Sequence, residues 1–126
     1  MRIHTLILSA VFAAILTACG STKPAGMSKE NAIIHQVTEA DVAQAHSKEP
    51  LKGQTVTLWV NGLGCPQCAS NIDQQMKRTE GVTSVRTDLG HGKVYLTLSG
   101  KTNPSPYTLS ERTLDAGFTL VKVEQP

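Results

Sequence analysis

A change from strand-like to helix-like spacing of apolar residues constrains the fold of this chain more than any other feature. Residues 55–61 alternate strictly, with Val56, Leu58 and Val60 on one face, which is typical of a half-buried β-strand. Over residues 69–80 the apolar side chains instead recur every three or four positions, as in an amphipathic helix. The pattern therefore predicts a strand followed directly by a helix.

Four more elements follow at short intervals. Residues 82–89 and 93–99 are predicted to be strands joined by a hairpin at 90–92, residues 106–116 a helix, and residues 118–124 a last strand with imperfect alternation. Six elements in the order strand, helix, strand, strand, helix, strand predict an α+β fold, the ferredoxin-like βαββαβ sandwich. In this fold two helices cover one face of a four-stranded antiparallel sheet.

The N-terminus has the pattern of a secretory signal peptide over residues 1–18. Arg2 precedes an apolar run at residues 6–16 that is too short to span a bilayer comfortably. Leu-Thr-Ala-Cys, ending at Cys19, resembles the lipobox of bacterial lipoproteins and implies cleavage before Cys19 and lipidation of this residue. Gly20 follows instead of an aspartate, which suggests the outer membrane, facing the periplasm, if the cell is Gram-negative. The expected location is therefore lipid-anchored and extracytoplasmic.

Residues 19–52 are polar and poorly patterned, so we expect the lipidated cysteine to be followed by a flexible tether. Within this segment Thr38 and Asp41 are spaced as a capping box, which favours a short helix. His35 and His46 also fall here and are expected to be exposed.

Composition excludes some functions. Loss of Arg2 with the signal peptide leaves eleven Lys and Arg (12 − 1) against ten Asp and Glu, and so small a net charge argues against nucleic acid as a partner. The remaining 108 residues (126 − 18) suffice for one small domain and a tether. Asp73, Glu80 and Asp88 are expected on helix or turn surfaces without a paired acid or base, so the sequence does not indicate an enzyme.

The two remaining cysteines, Cys65 and Cys68, lie where the first strand leads into the first helix. Pro66 suits the first helical position, so both thiols are expected at a helix N-terminus, where the helix dipole and free amides favour the thiolate. Metal binding and disulfide exchange both require a thiolate, so a lowered thiol pKa does not distinguish between these two functions. Two sulfurs can give two-coordination to Cu(I) or Hg(II), whereas a structural zinc site normally needs four ligands.

Three motifs resemble the heavy-metal-associated domain of copper chaperones, copper-ATPase N-terminal modules and the periplasmic mercury-binding protein. The family pattern Gly-Met-x-Cys-x-x-Cys corresponds to residues 62–68, with Leu63 in place of the methionine. Gly-Val at 81–82 corresponds to the start of the family's second strand, and Ala-Gly-Phe at 116–118 to the entry into its last. The resemblance covers about residues 53–125 and implies a heavy-metal-associated domain there.

The resemblance implies that Cys65 and Cys68 bind a soft heavy-metal ion, Cu(I) first and Hg(II) or another thiophilic ion second. The protein would hold this ion or pass it to a metal-transport or metal-accepting protein by exchange of thiolate ligands. The family also implies that Leu63 packs inward below the loop and that Phe118 packs beside it, both without touching the ion.

Two other functions stay open. Cys65-Pro66-Gln67-Cys68 also resembles the Cys-Pro-x-Cys centre of glutaredoxins and periplasmic thiol oxidants, which would make the chain an extracytoplasmic thiol–disulfide redox protein. Only one further helix is predicted after the cysteines, whereas the thioredoxin fold of those proteins needs more. Alternatively, the pair forms a structural disulfide in a non-metal interaction module, although a disulfide that closes so short a loop stabilises little.

Overall fold

The computed structural model describes residues 32–126, which form one four-stranded sheet and three helices. The elements in chain order are α1 (Glu39–Ala45), β1 (Thr55–Asn61), α2 (Pro66–Lys77), β2 (Val82–Asp88), β3 (Lys93–Leu98), α3 (Pro106–Asp115) and β4 (Thr119–Glu124). All strand pairs are antiparallel and the strand order is β2-β3-β1-β4. The predicted ferredoxin-like sandwich is therefore confirmed, with α1 as an addition before it.

The predicted signal peptide, Cys19 and the first part of the predicted tether lie outside the described residues. Over residues 32–126, no helix combines the length and apolar character that crossing a bilayer requires.

The two helices of the sandwich begin at the residues that the sequence indicated. Pro66 and Pro106 each occupy the first turn of their helix, where a missing amide hydrogen costs nothing. Ser105 caps α3, since its Oγ accepts a hydrogen bond from the Thr108 amide at 3.2 Å. Cys65 occupies the equivalent cap position of α2, so helix initiation itself fixes the position of the first thiol.

The inner faces of the strands and of α2 and α3 form a single aliphatic core. Leu58, at the centre of β1, pairs with Val94 of β3 and Val123 of β4, and none of the three is more than 1% exposed. From the helices, the fully buried side chains are Ile72, Met76, Leu109 and Thr113. The strict alternation of apolar residues in β1 thus predicts correctly which face of this strand is buried.

The imperfect alternation of the last strand has a structural cause. Trp59 of β1 pairs with Lys122, but the next residue, Val60, pairs with Leu120, so Val121 is an additional residue in β4. Such a bulge interrupts the two-residue period, and Leu120 and Val121 are consequently both buried although they are adjacent.

The expectation of a flexible tether is wrong for residues 32–52, which pack onto the sandwich. Ala45 and Leu51 are buried members of the core. The Gln44 side-chain oxygen accepts a hydrogen bond from the Val123 amide at 3.4 Å, at the outer edge of β4. Helix α1 contacts β4 and α3, so it covers an edge that would otherwise expose unpaired backbone groups.

The predicted capping box of α1 is confirmed. Thr38 Oγ1 accepts a hydrogen bond from the Asp41 amide at 3.2 Å, and Asp41 Oδ2 accepts one from the Thr38 amide at 3.0 Å. Two hydrogen bonds lower the pKa of Asp41 below its ordinary value. The larger cause is the bond from the Thr38 hydroxyl, and the next is the bond from the Thr38 amide. The carboxylate therefore stays charged at the positive end of the helix dipole.

Residues 32–35, which we call the N-terminal clasp, lie at the end of β1. The ring of His35 is edge-on to Trp59, with 4.9 Å between ring centroids, and its Nε2 donates a hydrogen bond to the Gly92 carbonyl at 3.1 Å. His35 is therefore half-buried, which corrects the expectation of an exposed histidine. His46 is exposed as predicted.

Candidate functional site

The loop that leads from β1 into α2 consists of Gly62, Leu63 and Gly64 before the first cysteine. Gly62 has φ +98°, a left-handed conformation that glycine adopts without steric cost. Leu63 is fully buried, and Gly64 lies against the backbone of Ala32. A buried side chain at its centre therefore ties this loop to the core.

Both cysteines lie at the start of α2, as the sequence predicted. Cys65 is the N-cap, and its Sγ accepts a hydrogen bond from the Cys68 amide at 3.1 Å. The two Cα atoms are 5.1 Å apart and the sulfurs are joined in a disulfide. Cys65 is buried and Cys68 half-buried, so Cys68 is the more accessible of the two.

The start of α2 favours negatively charged sulfurs. Its first turn carries no acidic residue that would oppose the positive potential of the free amides there. Nowhere in residues 32–126 do three or more His, Cys, Asp or Glu side chains gather in a way that could hold a metal ion. Any metal site that the described residues build at this position therefore rests on the two sulfurs.

The two side chains that the family resemblance places next to the cysteine loop lie close to it. Phe118 is buried, and a Cβ built on Gly62 would be 3.2 Å from its Cδ1 atom. Leu63 occupies the core below the loop, where the family has methionine. Their positions agree with roles in shaping the loop; their influence on a bound ion stays a prediction.

Asn61 is a residue of the site that sequence reasoning missed. Its carboxamide forms two hydrogen bonds with the backbone of His35: Oδ1 accepts from the amide at 2.7 Å and Nδ2 donates to the carbonyl at 3.2 Å. The sequence did contain a signal for this role. Asn61 carries both a hydrogen-bond donor and an acceptor, and it lies at the end of a strand, directly before the loop.

The three carboxylates considered in the sequence are surface groups. Asp73 forms an ion pair with Lys77 at 2.7 Å on α2, and Glu80 is exposed. Asp88 accepts hydrogen bonds from His91, with 2.9 Å to the ring Nδ1, and the side-chain hydrogen bond is the main cause that lowers the pKa of Asp88. His91 itself is exposed at the hairpin.

The thioredoxin-fold alternative is wrong. The cysteine pair is followed by two antiparallel strands, one helix and a last strand, all within the ferredoxin-like sandwich. A redox function for the pair thus remains open only on this fold.

Comparisons with known proteins agree with the fold and the motifs. The structure is similar to oxidized MerP from Ralstonia metallidurans CH34, at 30% sequence identity and a TM-score of 0.51, over 57% of this chain and 97% of MerP. It also shares the fold of the CopZ metallochaperone, at 24% identity and a TM-score of 0.50, over 53% of this chain and 98% of CopZ. No curated protein matches the chain.

The model of one family, described as "Heavy-metal-associated domain", matches residues 57–119. This match comprises half of the chain (63 of 126 residues). It includes most of β1, the cysteine loop, α2, β2, β3 and α3, and it ends at the first residue of β4. The chain therefore belongs to the heavy-metal-associated domain family.

Proposed function

We propose that Cys65 and Cys68 together bind one soft heavy-metal ion, Cu(I) first and Hg(II) or another thiophilic ion second. The protein holds this ion as cargo or transfers it to a metal-accepting partner. The observation that carries the proposal is the placement of two sulfurs within bonding distance of each other at the N-terminus of α2, in a chain of this family.

Geometry supports binding by both sulfurs after reduction. Two cysteines whose Cα atoms are 5.1 Å apart need little backbone movement to direct both thiolates at one ion. The α2 amides favour the deprotonated sulfurs that a metal requires. A disulfide has no free thiolate, so the proposed cargo binds only after two-electron reduction of the Cys65–Cys68 bond.

The small number of ligands favours a soft ion. Two thiolates without further protein ligands suit Cu(I), which accepts two-coordination, better than Zn²⁺, whose structural sites are four-coordinate. The described residues bring no third His, Cys, Asp or Glu to the pair.

Transfer would proceed by ligand exchange without a change in oxidation state. A partner thiolate forms a bond to the ion, which is briefly three-coordinate, and the bond to one of the two protein sulfurs then breaks. Because Cys68 is the more exposed cysteine, we propose that the partner approaches from the Cys68 side.

An anaerobic Cu(I) titration tests the proposal. The sample is the chain from Ser21 onward, which contains every described residue and lacks the third cysteine. After reduction, with free thiols counted, it competes for Cu(I) with a chromophoric chelator. We expect one tightly bound Cu(I) per chain.

Two controls accompany the titration. The oxidised protein and a Cys65→Ser/Cys68→Ser double variant should both leave Cu(I) on the chelator. Failure of the reduced parent to compete, with two free thiols demonstrated, would rule out the Cu(I) proposal and direct the same titration to Hg(II).

Thiol–disulfide exchange is a second candidate, favoured by the disulfide itself. Under this hypothesis the oxidised protein would pass its disulfide to a reduced dithiol substrate. One substrate thiolate attacks a protein sulfur and forms a mixed disulfide, and the other protein sulfur leaves as a thiolate. The second substrate thiolate then attacks the substrate sulfur of the mixed disulfide, which forms the substrate disulfide and releases the remaining protein sulfur as a thiolate. Catalysed oxidation of a dithiol peptide by the oxidised protein, together with no Cu(I) binding by the reduced protein, would favour this candidate over cargo binding.

We further propose that Cys19 carries a lipid and anchors the chain outside the cytoplasm. The support is the signal-like residues 1–18 and the lipobox-like sequence that ends at Cys19. In cells that grow with labelled palmitate, the parent should be labelled and should fractionate with membranes, whereas Cys19→Ser should be unlabelled. A parent chain that appears unlabelled in the soluble fraction would contradict the anchor.

A further inference from the structure

The N-terminal clasp (residues 32–35) contacts three parts of the chain that together hold the cysteine loop. These are Asn61 at the end of β1, Gly64 directly before the first cysteine, and Gly92 in the β2–β3 hairpin. The clasp precedes residues 57–119, the part that matches the family, so it is an addition to the shared domain.

The contact with Asn61 resembles one rung of a β-ladder. The Asn61 carboxamide both accepts from and donates to the backbone of His35, at 2.7 and 3.2 Å, as a neighbouring strand would. Asn61 is the last residue of β1 and the loop begins at the next residue. A restraint on Asn61 is therefore a restraint on the start of the loop.

The contact with Gly64 covers one side of the loop. A Cβ built on Gly64 would lie 2.9 Å from the Ala32 amide nitrogen and 3.2 Å from its Cα, so the two backbones pack without space for a side chain. The next residue is Cys65, which is only 7% exposed. The clasp thus limits outward movement of the loop segment that carries the first sulfur.

The third contact joins the clasp to the hairpin. His35 Nε2 donates to the Gly92 carbonyl at 3.1 Å, and the same oxygen accepts from the Val60 amide at 2.9 Å. Gly92 has no space for a side chain, since a Cβ there would be 2.8 Å from His35 Nε2. His35 therefore connects the hairpin to the strand that leads into the loop.

We propose that the N-terminal clasp is a positioning element that restrains the cysteine loop and slows the reaction of Cys65 and Cys68 with incoming thiols and metal acceptors. Its effect on cargo release rests on the proposed function. Its effect on the thiols does not, because a restrained loop limits their access to any reagent.

Two variants release the clasp in different ways. His35→Ala removes the ring contacts with Gly92 and Trp59, and Asn61→Ala removes both hydrogen bonds to the His35 backbone. As a matched control, His46→Ala removes an exposed imidazole that lies outside the clasp, within residues 32–52. Gln125→Ala is the control for the loss of a carboxamide, since Gln125 follows Glu124, which pairs with the far end of β1.

The measurement is the alkylation rate of the reduced thiols in the chain from Ser21 onward, with iodoacetamide as the probe. We expect each clasp variant to react about fivefold faster than the parent, which is the factor that one net hydrogen bond contributes. Both controls should react at the parent rate. If Cu(I) binds, its transfer to a chelator should accelerate by a similar factor.

Hydrogen exchange of the backbone amide at position 35 shows whether the clasp is released, because Asn61 protects this amide in the parent. Faster exchange with unchanged alkylation would overturn the proposal, since the clasp would then be free without any effect on the thiols. Unchanged exchange in the His35→Ala/Asn61→Ala double variant would also overturn it, because these contacts would not be what holds the clasp. Faster alkylation without Cu(I) binding would support the clasp and reject the copper proposal.

Discussion

Replacing either Cys65 or Cys68 by serine is expected to weaken Cu(I) binding by on the order of a thousandfold relative to the reduced parent, about 4 kcal/mol. Cu(I) prefers thiolates, and a neutral serine hydroxyl does not replace one. Both sulfurs are needed because the described residues supply no third His, Cys, Asp or Glu at the site. The two single variants should therefore lose affinity to a similar extent.

The measurement is the chelator competition described above, carried out on each single variant. Ser70→Ala is a matched control, because it removes a hydroxyl from the same end of α2 without removing a sulfur, and it should bind as the parent does. Circular dichroism establishes that each variant is folded. A single variant with parental affinity would show that one cysteine is dispensable, and the two-thiolate site would be wrong.

Leu63→Ala is expected to lower the free energy of unfolding by about 2–5 kcal/mol, the range for truncation of a fully buried leucine. Leu63 is completely buried directly below the cysteine loop, so its loss leaves a cavity in the core. Leu63→Met restores the residue that the family has at this position with nearly the same volume. Its cost should stay under about 1.5 kcal/mol.

Urea unfolding of both variants, reduced and oxidised, provides the comparison. The expected result is a large decrease in the unfolding midpoint for Leu63→Ala and a small change for Leu63→Met in both redox states. If Leu63→Ala unfolded at the parental urea concentration, the loop would not depend on this side chain for its attachment to the core.

Local signals in the sequence were sufficient to predict most of the sandwich. Strict alternation identified β1 because the helices cover only one of its faces, and Val56 and Leu58 are buried as expected. Pro66 and Pro106 marked the helix starts because proline fits the first turn and is disfavoured later. The same logic placed Cys65 and Cys68 at the start of α2, so this part of the candidate site was predictable.

Contacts between distant residues were not predictable in this way. The bulge at Val121 depends on how β4 aligns with β1, which no local pattern encodes. The polar composition of residues 32–52 predicts a tether, yet Ala45 and Leu51 are buried. The hydrogen bond from His35 to Gly92 joins residues 57 positions apart, and a lone histidine carries no signal for such a partner.

The contact between Ala32 and Gly64 also determines where the cysteines lie relative to the proposed anchor. Thirteen residue steps separate Cys19 from Ala32, which span at most about 45 Å when fully extended. With a lipid on Cys19, the sulfurs would stay within roughly this distance of the bilayer surface. An acceptor in the same membrane would then meet the cargo at a high effective concentration, whereas a freely diffusing acceptor would gain no such advantage. If the chain is anchored and carries metal as proposed, its path past Gly64 would thus favour delivery between neighbours in one membrane.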